Sequence, residues 1–64
     1  MFKSGFILDT TEKIEAAIFN RTPVEVWHNG AIFDYGGIIE KQTEYAIKIN
    51  GYYFLKENYE FRIR

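Results

Sequence analysis

The sequence predicts a mainly β fold, with one short helix followed by a five-stranded, strongly bent antiparallel sheet that curls into a small barrel. Three observations carry this expectation. The pairs Asn29-Gly30 and Asn50-Gly51 each sit between stretches rich in β-branched and aromatic residues. A two-residue type I′ turn needs positive φ at both central positions, which Asn tolerates and Gly adopts freely, so each pair predicts a hairpin. A further pair, Gly36-Gly37, lies inside an apolar stretch, and paired glycines within a strand mark a bulge or bend of the kind that closes a small barrel. From residue 24 onward the apolar stretches follow one another too closely to admit crossover helices, so the strands form a meander.

The chain has 64 residues, a length that predicts a single domain burying only about 60% of the surface its unfolded chain exposes. Marginal burial needs compensation. The sequence contains no Cys, which excludes disulfides and thiolate metal sites and leaves dense aromatic packing or self-association. Aromatic residues make up 19% of the chain: Trp27, six Phe and five Tyr. The formal net charge is −1, from eight basic and nine acidic side chains, so no global charge draws the chain to nucleic acid or an anionic membrane. Residues 1–8 carry one Lys and a short apolar run, too brief for a secretory signal or a bilayer span. The expected setting is cytoplasmic, without membrane contact.

Residues 1–8 predict either an extended arm or a short strand, since Phe6, Ile7 and Leu8 show no clear period. A helix is expected over 9–21. Asp9 and Glu12 have capping-box spacing, and Thr10 or Thr11 offers an alternative cap. Ile14, Ala17, Ile18 and Arg21 fall on one helical face, and Pro23 stops the helix by pushing Thr22 toward extended backbone. The meander then fills 24–64. A turn at Asn29-Gly30 pairs Val26 with Phe33 and Val24 with Tyr35 on the core face, and Trp27 with Ile32 and Glu25 with Asp34 on the outer face. Like charges opposite each other destabilise a ladder, so Glu25 and Asp34 call for a basic neighbour.

After a polar connection at residues 40–43, the third strand puts Tyr45, Ile47 and Ile49 on one side and Ala46 and Lys48 on the other. The Asn50-Gly51 turn sets Ile49 opposite Tyr52, Ile47 opposite Phe54, Tyr45 opposite Lys56 and Ala46 opposite Leu55. Glu57-Asn58 reads as the next turn. The last strand, 59–64, directs Tyr59, Phe61 and Ile63 inward and Glu60, Arg62 and Arg64 outward.

This order of helix and strands, with Val24-Glu25-Val26-Trp27-His28-Asn29-Gly30, Gly37-Ile38-Ile39-Glu40 and Tyr45-Ala46-Ile47-Lys48-Ile49, resembles the Sm-like small barrels, which include the bacterial RNA chaperone Hfq. It resembles more closely the YolD-like family of Gram-positive bacteria and their phages. The likeness spans residues 14–64 and consists of hairpin and core positions. Resemblance to the YolD-like family implies a non-enzymatic accessory factor of error-prone DNA polymerases in the DNA damage response, acting through protein contacts. The Sm-like alternative implies an oligomeric ring that binds RNA or single-stranded nucleic acid, with Asn50 and Lys56 as contacts by position. Thr43 departs from the Sm pattern, which has Asp there, and no Lys-His pair follows the fourth strand.

No catalytic, cofactor or metal site is expected. His28 is the only histidine, and a lone His at a hairpin end, even with Glu25 and Asp34 nearby, lacks the ordered partners that catalysis needs. Trp27, Ile32 and Ile38 form a candidate protein interface on the outer face of the bent strand. The simpler account is that they and the helix stripe of Ile14, Ala17 and Ile18 cover each other. Lys48 and Tyr53, with Leu55 on the outer face of the second hairpin, set a cation beside an aromatic ring, which suits a stacked base and its phosphate, though a solvated strand face is the simpler account. Lys56, Arg62 and Arg64 add a basic cluster, for which a charged edge that discourages aggregation is the simpler account. The partners expected are a protein, a second copy of the chain or, through these residues, nucleic acid.

Overall fold

The computed structural model describes residues 3–64. Helix α1 spans Thr11–Phe19 and is followed by β1 (Pro23–His28), β2 (Ala31–Gln42), β3 (Ala46–Ile49), β4 (Tyr52–Leu55) and β5 (Glu60–Ile63). All pairings are antiparallel, and the strand order is β4-β3-β2-β1-β5. The mainly β fold with a short N-terminal helix is as the sequence predicts. The barrel, however, is not closed, because β4 and β5 are the two outer strands of an open, bent sheet.

The helix is shorter at both ends than 9–21. Thr10 is its N-cap and accepts the Lys13 N–H at 3.1 Å through Oγ1; Asp9 instead pairs with Lys13 at 2.7 Å. That hydrogen bond and charge hold the Asp9 carboxyl below its ordinary range. At the other end Arg21 takes a left-handed φ of +53°. The Arg21 and Thr22 N–H groups donate to the carbonyls of Ile18 and Ala17 at 3.1 and 2.9 Å, closing the helix with a Schellman motif before Pro23. Ile14 and Ala17 are buried in the core, and Ile18 packs against it.

Both Asn-Gly turns form as expected, with Asn29 and Asn50 each at φ +52° and Gly30 and Gly51 at +79° and +81°. Every predicted β3–β4 pair within the two strands is observed, and the Lys56 N–H reaches the Tyr45 carbonyl at 2.8 Å. The first hairpin differs. Trp27 lies opposite Ile32, but Val26 lies opposite Asp34 and Val24 opposite Gly37, so β2 carries two extra residues. A third irregularity, between Ile39 and Lys41, again lengthens β2. Extra residues on one strand bend it toward its partners, and β2 continues unbroken to Gln42 where a connection at 40–43 was expected. Gly36, within this stretch, takes a left-handed φ of +63°.

These bulges correct two expectations. Phe33 and Tyr35, expected in the core beside Val26 and Val24, are 57% and 65% exposed, whereas both valines are fully buried. Glu25 faces not Asp34 but Arg62, its register partner on β5; the basic neighbour comes from the same chain. Ile39, Ile47, Ile49, Phe54, Phe61 and Ile63 complete the buried cluster. Tyr45, expected beside Ile47 and Ile49, is 70% exposed, because the chain turns at Thr43, whose Oγ1 accepts the N–H groups of Tyr45 and Ala46 at 3.3 and 3.0 Å.

The N-terminal segment is an arm laid along β5. Gly5 N–H donates to the Ile63 carbonyl at 2.7 Å, Ile63 N–H to Phe6 at 2.9 Å and Leu8 N–H to Phe61 at 2.8 Å, around an antiparallel bridge between Ile7 and Arg62. Leu8 inserts into the core, 3% exposed. Met1 and Phe2, the start of the expected 1–8 arm, lie outside the described residues.

Candidate interaction surface

The two outer strands differ in what their free edges meet. Along β5 the arm takes up the outward backbone groups from Phe61 to Ile63. Along β4 no strand among the described residues does so. Because Lys56 N–H points at the Tyr45 carbonyl, the alternation of an antiparallel ladder turns Phe54 and Tyr52 toward β3 and Tyr53 outward. The Leu55 carbonyl accepts the N–H groups of Asn58 and Tyr59 at 3.1 and 3.2 Å. Among the described residues this leaves the N–H and C=O of Tyr53 and the N–H of Leu55 as an open strand edge.

Aromatic side chains fill the gap between that edge and the first hairpin. The Phe33 and Tyr59 ring centroids lie 5.2 Å apart, Phe54 and Tyr59 5.4 Å, and Phe33 and Phe54 6.4 Å, edge-on or tilted. His28 joins them 5.2 Å from Tyr59. Its Nδ1 lies 2.8 Å from the Asn58 carbonyl; a carbonyl only accepts, so Nδ1 carries the proton and Nε2 is left to accept from the Asn29 amide at 3.2 Å. These contacts join the sheet's two halves where backbone pairing is absent. Beside them lies a pocket of about 300 Å³ lined by Phe33, Asp34, Tyr52, Tyr53, Phe54 and Tyr59. Tyr52, which lines this pocket, is 71% exposed, so the aromatic lining reaches the surface. Asp34 Oδ1 accepts the Gly36 N–H at 3.2 Å, which fixes the carboxylate at its rim.

The residues singled out in the sequence are spread over the sheet. Trp27 lies half-buried beneath the Arg62 guanidinium, 3.9 Å from its ring, and donates Nε1–H to Glu25 at 3.1 Å. Ile32 and Ile38 remain partly exposed on the outer face, while the helix stripe docks in the core instead of over them. Arg62 is paired with Glu60, and Arg64 donates to the Tyr35 carbonyl at 2.6 Å. Asn50 donates its amide to the Gly36 carbonyl at 3.1 Å, tying the second turn to the bend. Lys56 donates to Gln42 at 2.8 Å, and Gln42 in turn binds Glu15 and the Thr11 carbonyl on α1. Lys48 and Tyr53 do meet: the Lys48 and Lys41 ammoniums lie 5.7 and 6.0 Å from the Tyr53 ring centroid, with Glu40 3.8 Å from Lys48.

Phe33, Asp34, Tyr52 and Tyr59 escaped sequence reasoning as a group, since the alternation rule assigned Phe33 to the core and Asp34 to the opposite face. Only the bulges bring them together. Among the described residues no three of His, Asp or Glu are grouped to hold a metal ion, and no helix is long and apolar enough to cross a membrane. No family model matches the chain, and neither a curated protein nor a solved structure matches it.

Proposed function

We propose that the chain is a non-enzymatic interaction module that receives an extended segment of a partner protein as an added strand on β4. One observation supports this above all: β5 has its outer edge occupied by the arm, and among the described residues β4 leaves the N–H and C=O of Tyr53 and the N–H of Leu55 open beside exposed aromatic rings. Main-chain hydrogen bonds along such an edge supply affinity, and the neighbouring side-chain pockets supply selectivity. The likeness to the YolD-like family directs the search for the partner toward proteins of the DNA damage response.

The edge is tested with peptides selected from a random displayed library. Bound peptides are expected to slow amide exchange at Tyr53 and Leu55 and to be nearly indifferent to salt. Tyr53→Pro removes a donor that the β3–β4 ladder does not use, and should weaken binding about tenfold, whereas Tyr53→Ala keeps the N–H and should weaken it less. Peptides that leave both amides unaffected would overturn the reading. A second reading, single-stranded nucleic acid stacked on Tyr53, draws on the two lysines that flank this ring. It predicts that a single-stranded RNA oligomer binds with an affinity falling steeply as salt rises.

A further inference from the structure

We infer that the aromatic pocket beside β4 is a subsite for a cationic side chain, with arginine the best fit, carried by the segment that pairs with that edge. The inference rests on the strand-addition reading and names the chemistry of its partner. The pocket, about 300 Å³, is lined by Phe33, Tyr52, Tyr53, Phe54 and Tyr59 and by Asp34. Aromatic faces attract cations through their quadrupole, and a planar guanidinium both stacks on such faces and pairs with a carboxylate.

Charge settles the preference. Asp34 is the acidic group lining the pocket, no basic residue lines it, and its carboxylate is in no ion pair among the described residues. Oδ1 is held by the Gly36 N–H, so Oδ2 is left to accept. Of the lysines near this strand, Lys41 and Lys48 lie over the Tyr53 ring, and Lys56 is held by Gln42 at 2.8 Å. Tyr53 is the register partner of Lys48, and alternation puts its side chain on the opposite face of β4 from Phe54, which is in the core. A strand added to β4 therefore meets a carboxylate on the Phe54 face and ammonium groups on the Tyr53 face. The complementary segment alternates, with a basic residue entering the pocket and acidic residues on either side of it. A second copy of β4 lacks this pattern: Tyr52, Tyr53, Phe54 and Leu55 bring no charge to either face.

The test uses N-acetyl-arginine methylamide titrated into the full chain, followed by amide chemical shifts. The probe is too short to form a ladder, so it reports on the pocket alone. Saturable shifts are expected at Phe33, Asp34, Tyr52, Phe54 and Tyr59. The neutral isostere N-acetyl-citrulline methylamide should bind about threefold to fivefold more weakly, and Asp34→Asn, which keeps an oxygen for the Gly36 N–H, should erase that difference. Equal binding of the two probes, or no shift at these residues, would overturn the inference. If the selected peptides still protect Tyr53 in that case, the strand-addition reading stands without the cationic subsite.

Discussion

Gly36 shows how closely one residue can control this fold. Its φ of +63° lies where side chains are strained, and a Cβ built on it would sit 2.5 Å from the Val24 carbonyl oxygen. Both the conformation and the contact forbid a larger residue. Gly36→Ala is expected to cost about 3 kcal/mol in urea unfolding; a loss under about 1 kcal/mol would show that the bend can be made another way. The Asn-Gly turns were legible for the same local reason, since four consecutive residues suffice to define them. Phe33 was not legible. Its exposure depends on a bulge opposite Val26, and alternation presumes a ladder without extra residues.

At the scale of elements, the helix was legible from its apolar spacing and from Pro23, but its ends were settled by hydrogen bonds. Thr10 caps it, and the capping box expected between Asp9 and Glu12 gives way to the Asp9–Lys13 pair. The left-handed position after the C-cap is filled by Arg21 in place of the usual glycine. Arg21→Gly should therefore raise stability by about 1 kcal/mol, read as a higher urea midpoint at unchanged slope. A lower midpoint would mean that the arginine side chain contributes more than its backbone strain costs. Strand β2 carries all the register irregularities against β1 and β3. A sequence announces such a strand through Gly36-Gly37 but does not say how many residues are extra, because the neighbouring strands decide that.

For the whole molecule, the arm determines how copies can meet. A head-to-tail ring closed by backbone pairing would need β4 of one copy to join β5 of the next, and Gly5, Phe6 and Leu8 already hold the β5 edge. Light scattering at low and high salt is expected to give the same mass in both, below that of a five- to seven-fold ring. A ring would mean that the arm leaves β5, and would favour the nucleic-acid reading. The candidate site was only partly legible: Tyr53 and Lys48 were paired correctly from the second turn, while Asp34 and Phe33 were placed on the wrong faces. By itself the sequence determined the two hairpins, the helix and the number of strands, because each follows from backbone preferences and side-chain periods over a few neighbouring residues. Tertiary structure alone decided which edge stays open, where β2 bulges and which aromatic rings gather beside Asp34. Those outcomes arise from competition among segments distant in sequence for the same hydrogen bonds and the same buried space.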